Sequence, residues 1–449
     1  MSRTVEVPNL EEAENVKVFK SWLEENAAYV HPDIHFERNP YGFSVIAQNT
    51  IAKDTPVVSC PFSLAITPTV ARTSLQHIFG QGEVDAFEKW SERQLICTYL
   101  CLHILLDESD ARYTFLKHKP YVDVLPKPSQ LLTSLHFSPE ELEHFKGTNL
   151  YGATLDRLQG WKTEYEFCHS EISKFDKDVA SKLTWDLYLT ASTYLSSRAF
   201  PSTVLSPNPS LIPNETSHPV LLPGVDSLNH ARAQPVSWVV SRLSSTSTST
   251  QDQKNYTISL VPHTATEQGC ELFNNYGPKP NSELILGYGF SLPNNPDDTI
   301  VLKIGGGGQP NNGTATLSER WEVGRLAEGM EKVWEALLDV VAKSSSYEEA
   351  EEDEQEAFIW LDAADSLIGM VEGLLNRLPH PRTADTEDWK NVRKEVITMF
   401  YHYLEGQRDI LNSMLGYCEG RQRVAQEKAL ALGIDIEGPD REEGESVEG

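Results

Sequence analysis

Pro223-Gly224-Val225-Asp226-Ser227-Leu228-Asn229-His230 and Glu271-Leu272-Phe273-Asn274-Asn275-Tyr276-Gly277 are the stretches on which the reading of this chain turns. The second runs on through Asn281-Ser282-Glu283-Leu284 to Gly287-Tyr288-Gly289-Phe290. Both set amides, an imidazole or phenols beside glycines and apolar residues. Gly277 directly after Tyr276 marks a point where the chain can turn sharply. A tyrosine ring packs a hydrocarbon stem while its hydroxyl makes a hydrogen bond, so Tyr276 and Tyr288 suit the walls of one narrow channel. Taken singly, Asn-His reads as a turn and Tyr-Gly as a core aromatic. Their occurrence together, in this order, points to a buried site.

Transfer of a methyl group from a sulfonium to an amine is a chemistry these groups can serve. The nucleophile is a neutral amine whose free form has a pKa of about 10. It must be desolvated, stripped of a proton and aligned in line with methyl and sulfur. The nearby sulfonium lowers the amine pKa by like-charge repulsion, so no strong general base is required. Asn229 offers an amide to the donor's polar tail, and His230 a ring and main chain to an adenine.

These motifs resemble those of SET-domain protein lysine methyltransferases. Asp226-Ser227-Leu228-Asn229-His230 is similar to the family's Asn-His motif, and Phe273 to Gly277, with Asn281 to Leu284 and Gly287 to Phe290, to its tyrosine motif. Tyr41-Gly42-Phe43, then Ala47 and Ile51, resembles the N-terminal cofactor-binding strand, with one glycine where the family usually has two. Ser197-Arg198-Ala199-Phe200 matches an element of the Rubisco large-subunit methyltransferase-like subfamily. Asn274-Asn275-Tyr276-Gly277-Pro278-Lys279 resembles fungal members that modify ribosomal proteins.

The resemblance covers about residues 15–420 and implies an α+β fold: SET-fold β-sheets interrupted by a helical insert, then an all-helical C-terminal substrate-binding domain. It implies S-adenosyl-L-methionine as cofactor. Gly42 and Phe43 would offer backbone to its tail, Arg198 would approach its carboxylate, and Asn229 and His230 would hold its amino group and adenine. Phe200, Asp226 and Tyr288 would line the lysine channel. Tyr276, touching cofactor and amine, would be the catalytic residue. The activity implied is protein-lysine N-methylation of a non-histone protein, a ribosomal protein among the candidates. Two alternatives stay open: a catalytically inactive SET-fold protein-binding module, and a protein-histidine methyltransferase.

Along the chain, residues 1–30 read as an N-terminal helical segment, with Val16, Phe19, Trp22 and Leu23 recurring at helical spacing over 14–30. Residues 31–73 read as the first part of the SET core, with short strands at 43–48 and 56–61. Residues 74–200 read as a helical insert, with Leu95, Leu102 and Leu105/Leu106 as one stripe. Within it, Ser138-Pro139-Glu140-Glu141 has the form of a helix start. The second part of the core follows at 201–304, with strands at 235–240 and 256–261 around a serine/threonine-rich loop at 244–250. A Gly-rich linker (305–316), a helical substrate-binding domain (317–425, helices at 356–378 and 388–418) and an acidic flexible tail (426–449) complete the order.

The formal charge of −28 disfavours direct nucleic-acid binding, which needs a basic footprint, and suits a basic, lysine-containing protein partner. No apolar run is long enough to span a bilayer, and Met1 to Pro8 lacks a signal peptide's apolar stretch. A monomer in the cytoplasm and/or nucleus is expected, with no membrane partner. The six cysteines include no C-x-x-C pair, so no metal site is expected. The glycine run at 305–308 lacks the Gly-Lys-Ser/Thr of a P-loop, and no strand–GxG–helix unit suggests a Rossmann fold. Asn-x-Thr sequons at Asn214, Asn255 and Asn312 are read as chance.

Overall fold

The computed structural model describes residues 11–80, 86–242, 256–304, 319–344, 347, 350–380 and 389–434. The Gly-rich linker, the loop at 244–250, sequons Asn255 and Asn312, and the tail from 435 lie outside the described residues. The chain falls into two compact units. The first takes residues up to 136, 154–278 and 286–289; the second takes 137–153, 279–285 and 290 onward.

The first unit holds β1 (Tyr29–Val30), β2 (Ile34–Asn39), β3 (Gly42–Ala47), β4 (Val58–Pro61), β5 (Phe200–Pro201), β6 (Pro219–Val220), β7 (Asn229–His230), β8 (Val236–Arg242), β9 (Tyr256–Pro262) and β10 (Phe273–Asn274). Strands β1, β4, β9 and β8 form an antiparallel sheet in that order. All of β4 is buried, as an inner strand's side chains are, whereas β8 at the edge is partly open. β2 and β3 form a hairpin with Asn39 opposite Gly42. β7 and β10 pair in parallel, Phe273 opposite Asn229 and Asn274 opposite His230.

The helix Glu14–Glu25 buries Val16, Phe19 and Leu23 of the expected stripe, whereas its fourth member, Trp22, is only half-buried against the core. It stops short of 30 because Ala27 turns left-handed (φ +60°). The helix Glu92–Leu105 departs from expectation. It does not show a single stripe; every residue from Leu95 to His103 is buried, since it packs against both Pro68–Phe79 and Trp185–Arg198. Nor is the insert helical throughout. Between the helices Glu92–Leu105 and Asn149–Phe175 it runs in turns and short helical pieces, where Pro120, Pro126 and Pro128 supply no amide hydrogen. Cys97 and Cys101 are buried free thiols, and burial pushes Cys97 up to about 11.

The second unit pairs β11 (Thr299–Ile304) with β12 (Glu319–Gly324) and adds helices Met330–Ser344, Glu352–Arg377 and Lys394–Ala431 around buried Trp334, Phe400 and Tyr403. The Ser138 capping box forms as expected, its hydroxyl accepting from the Glu141 amide (3.1 Å). Glu141 also receives the Arg393 guanidinium (2.7 Å), a contact the motif does not announce. The last helix runs past 418 to Ala431, because Cys418, Ala425 and Ala429 continue its buried stripe. The segment expected to open the acidic tail therefore begins as helix.

Candidate active site

Gly224 starts the turn that delivers the Asn-His motif. Its φ is +88°, and a β-carbon there would meet Val58 Cγ2 at 3.1 Å and Leu23 Cδ1 at 3.3 Å. One helical turn over Val225–Ser227 follows, then buried Leu228, then β7. Parallel pairing with β10 fixes Asn229 and His230 beside the segment that carries Tyr276. That segment is tied in turn to β3: Leu272 N–H donates to the Val45 carbonyl (2.8 Å) and Ala47 N–H to the Cys270 carbonyl (2.9 Å). Two motifs distant in sequence thus share one backbone frame.

Within the frame, three rings stack. The His230 and Tyr276 centroids lie 5.1 Å apart, and Tyr276 and Tyr288 also 5.1 Å, with interplanar angles of 28° and 29°. The Tyr276 N–H donates to His230 Nδ1 (3.0 Å), so that nitrogen is an acceptor and the ring proton sits on Nε2. The Tyr276 hydroxyl donates to the Leu228 carbonyl (2.9 Å). Burial pushes this phenol far above its usual range, with Arg198 pulling the other way. It stays protonated at neutral pH and acts as a hydrogen-bonding group. Gly277, at φ +91°, makes the turn expected after it.

The Asn229 Nδ2 donates to Glu271 Oε1 (2.7 Å) and, at longer range, to the Phe43 carbonyl (3.5 Å). Linked to this cluster is a charge pair between half-buried Arg198 and buried Asp226. Arg198, the last residue of its helix, donates from Nη1 to the Asp226 carbonyl (3.0 Å) and approaches Asp226 Oδ2 (3.5 Å). The Tyr121 hydroxyl donates to the same oxygen (2.6 Å), whereas Asp226 Oδ1 is buried with no hydrogen-bond partner. Burial raises the Asp226 pKa, against the pull of Arg198 and Tyr121.

The structure therefore brings Phe43, Arg198, Asp226, Asn229, His230, Tyr276 and Tyr288 into one linked cluster. Gly42 opens β3 beside it. Phe200 pairs with Val220 in β5–β6 and, among the described residues, makes no ring contact with the stacked rings.

No protein-family model matches the chain. The fold has close parallels among solved structures. The SET domain of LSMT bound to lysine and AdoHcy matches with a TM-score of 0.70 at 17% identity, covering 95% of this chain and 97% of that one. Rubisco LSMT bound to AdoMet gives 0.66, over 95% and 98%. The fold is the SET fold of Rubisco LSMT. Its strands and helical parts agree with the α+β architecture expected from the motifs. Sequence relatives include ribosomal lysine N-methyltransferase set10 of Schizosaccharomyces pombe, 35% identical over 262 residues (58% of this chain, 42% of the relative). Ribosomal lysine N-methyltransferase 1 of Saccharomyces cerevisiae is 30% identical over 220 residues (42% and 34%). The chain thus spans less than half the length of these two curated relatives.

Sequence reasoning missed two members of this SET-fold cluster. Glu271 stood inside the quoted stretch without a role, because a glutamate preceding a strand ordinarily faces solvent. Tyr121 lies 105 residues from its partner Asp226, and nothing local signals the contact.

Proposed function

We propose that the chain is an S-adenosyl-L-methionine-dependent protein-lysine N-methyltransferase acting on a non-histone protein, with a ribosomal protein the first substrate to try. The observation that carries this reading is the Tyr276 phenol, its hydroxyl held by the Leu228 carbonyl and its ring stacked with those of His230 and Tyr288. The names of the fungal relatives and the cofactor-bound SET structures support it.

The donor set fits a cofactor that carries both an ammonium and a carboxylate. Both Asn229 amide hydrogens point at protein acceptors, which turns its oxygen toward a donor. When bound, the cofactor supplies a methyl group on a sulfonium. Gly42, Phe43, Arg198, Asn229, His230 and Tyr276 would hold it.

The chain's own residues prepare the amine. The stacked Tyr276 and Tyr288 rings offer an apolar wall to a lysine stem and exclude water from it. Loss of water and the nearby Arg198 charge both favour the neutral amine. Because the Tyr276 proton is committed to Leu228, the phenol oxygen is an acceptor for an amine N–H and can orient the nitrogen lone pair.

The test is incubation with radiolabelled S-adenosyl-L-methionine and a ribosomal-protein fraction, followed by mass spectrometry of labelled peptides. Label on a lysine side chain is expected. Label on histidine, or none from any protein fraction, contradicts the reading.

A further inference from the structure

We infer that Glu271 is a positioning residue that locks the Asn229 amide so that its oxygen, not its nitrogen, meets the cofactor's α-ammonium. The inference rests on the methyltransferase reading and assigns a task to a residue outside the motif matches.

The two ends of a primary amide have nearly the same shape, so its orientation is decided by its hydrogen-bond partners. Here those partners are acceptors only. Glu271 Oε1 lies 2.7 Å from Asn229 Nδ2, and the Phe43 carbonyl 3.5 Å. An amide oxygen turned to this side would face two oxygens with no hydrogen between them. Of the two partners, Glu271 holds the shorter contact and carries the charge, which makes it the stronger constraint. Its own main chain is fixed: Glu271 bridges Ile46 in β3, and two residues on Phe273 pairs with Asn229 itself. The strands that define the site therefore hold the Glu271 main chain in place, and its carboxylate reaches the Asn229 amide from there.

The consequence is selectivity within the cofactor tail. An ammonium only donates and a carboxylate only accepts. With the Asn229 oxygen presented, the site favours the amino end of the tail and rejects the acid end. Without Glu271, Nδ2 keeps one long contact and the amide can turn either way.

Calorimetry tests this with S-adenosylhomocysteine and its analogue lacking the α-amino group. The unmodified chain should bind the complete molecule about tenfold or more tightly than the desamino analogue, the value of one hydrogen bond to a charged group. Glu271→Ala should shrink that ratio to about threefold or less, whereas Glu271→Gln, which retains an acceptor oxygen, should keep most of it. Should Glu271→Ala fail to fold, Glu271→Asp makes the same test, since its shorter side chain withdraws the acceptor and should lose the ratio. A ratio unchanged in Glu271→Ala or Glu271→Asp overturns the inference and leaves the functional reading standing. No binding of S-adenosylhomocysteine by the unmodified chain overturns the functional reading, and this inference with it.

Discussion

Among the described residues each unit buries one aspartate against an arginine, and the two pairs are finished differently. In the first unit, Asp226 has Arg198 and Tyr121 on one oxygen and no partner on the other. In the second, Asp298 receives the Asn281 N–H on Oδ1 (2.7 Å) and the Asn281 amide on Oδ2 (3.1 Å), with Arg325 at 3.5 Å. Arg325 in turn is shared with Glu405 (2.7 Å) and Asp409 (2.9 Å). The side chains of Asp226 and Asp298 are about equally buried, at 1% and 2% exposed. Burial alone therefore does not mark a site. Each aspartate has one arginine at 3.5 Å, so the cation does not separate them either; the difference is an oxygen left without a donor at Asp226, against donors on both oxygens at Asp298.

The contrast can be broken most forcefully at Arg198. Arg198→Ala leaves Asp226 with no cation and should cost about 3–5 kcal/mol of stability in urea denaturation. A loss of under about 1 kcal/mol, the range of an exposed pair, would mean that the charge is solvated and the contrast false. Tyr121→Phe removes the phenol donor from a buried carboxylate, and a loss of about 1.5–3 kcal/mol is expected. It should also raise the pH at which Asp226 titrates, because that hydrogen bond favours the ionised form.

On the saturated side, Gly406→Ala should cost about 1–3 kcal/mol, since the added carbon would lie 2.2 Å from Asp298 Oδ2. An unchanged melting temperature would show that the cluster is loosely packed. The smallest effect concerns pH. Burial, opposed by Asn281 and Arg325, puts Asp298 at about 6, above an ordinary aspartate near 3.9. Over that window the folded chain holds a proton that the unfolded chain has lost. The contribution of Asp298 to stability is therefore greatest below the window and declines as pH rises through 6. Asp298→Asn does not titrate, so the stability of the unmodified chain relative to it should fall between pH 4.5 and pH 7. Equal differences at both pH values would contradict the shift.

The asymmetry between the regions also explains what could be read from the sequence. Asn229, His230 and Tyr276 were legible because rare residue types cluster in two short stretches, and the fold followed from them. The Ser138 cap was legible because a capping box is local. Glu271 and Tyr121 were not, since a glutamate at a strand edge and a tyrosine in an insert gain their meaning only from partners that folding supplies. The helix Glu92–Leu105 was misread as one-sided because leucine spacing reports where apolar residues recur, while burial on every side depends on neighbours outside the window. The end of the last helix was misplaced for a related reason: Ala425 and Ala429 carry its stripe forward, and alanine is a weak signal of a buried face.

Whether the Tyr276 hydroxyl orients the amine is decided by single-turnover methyl transfer. Rates for the unmodified chain and Tyr276→Phe would be compared at saturating S-adenosyl-L-methionine, with cofactor affinity measured separately. A fall of about a hundredfold or more in the transfer rate, with affinity within about threefold, is the predicted result. Equal rates would contradict it.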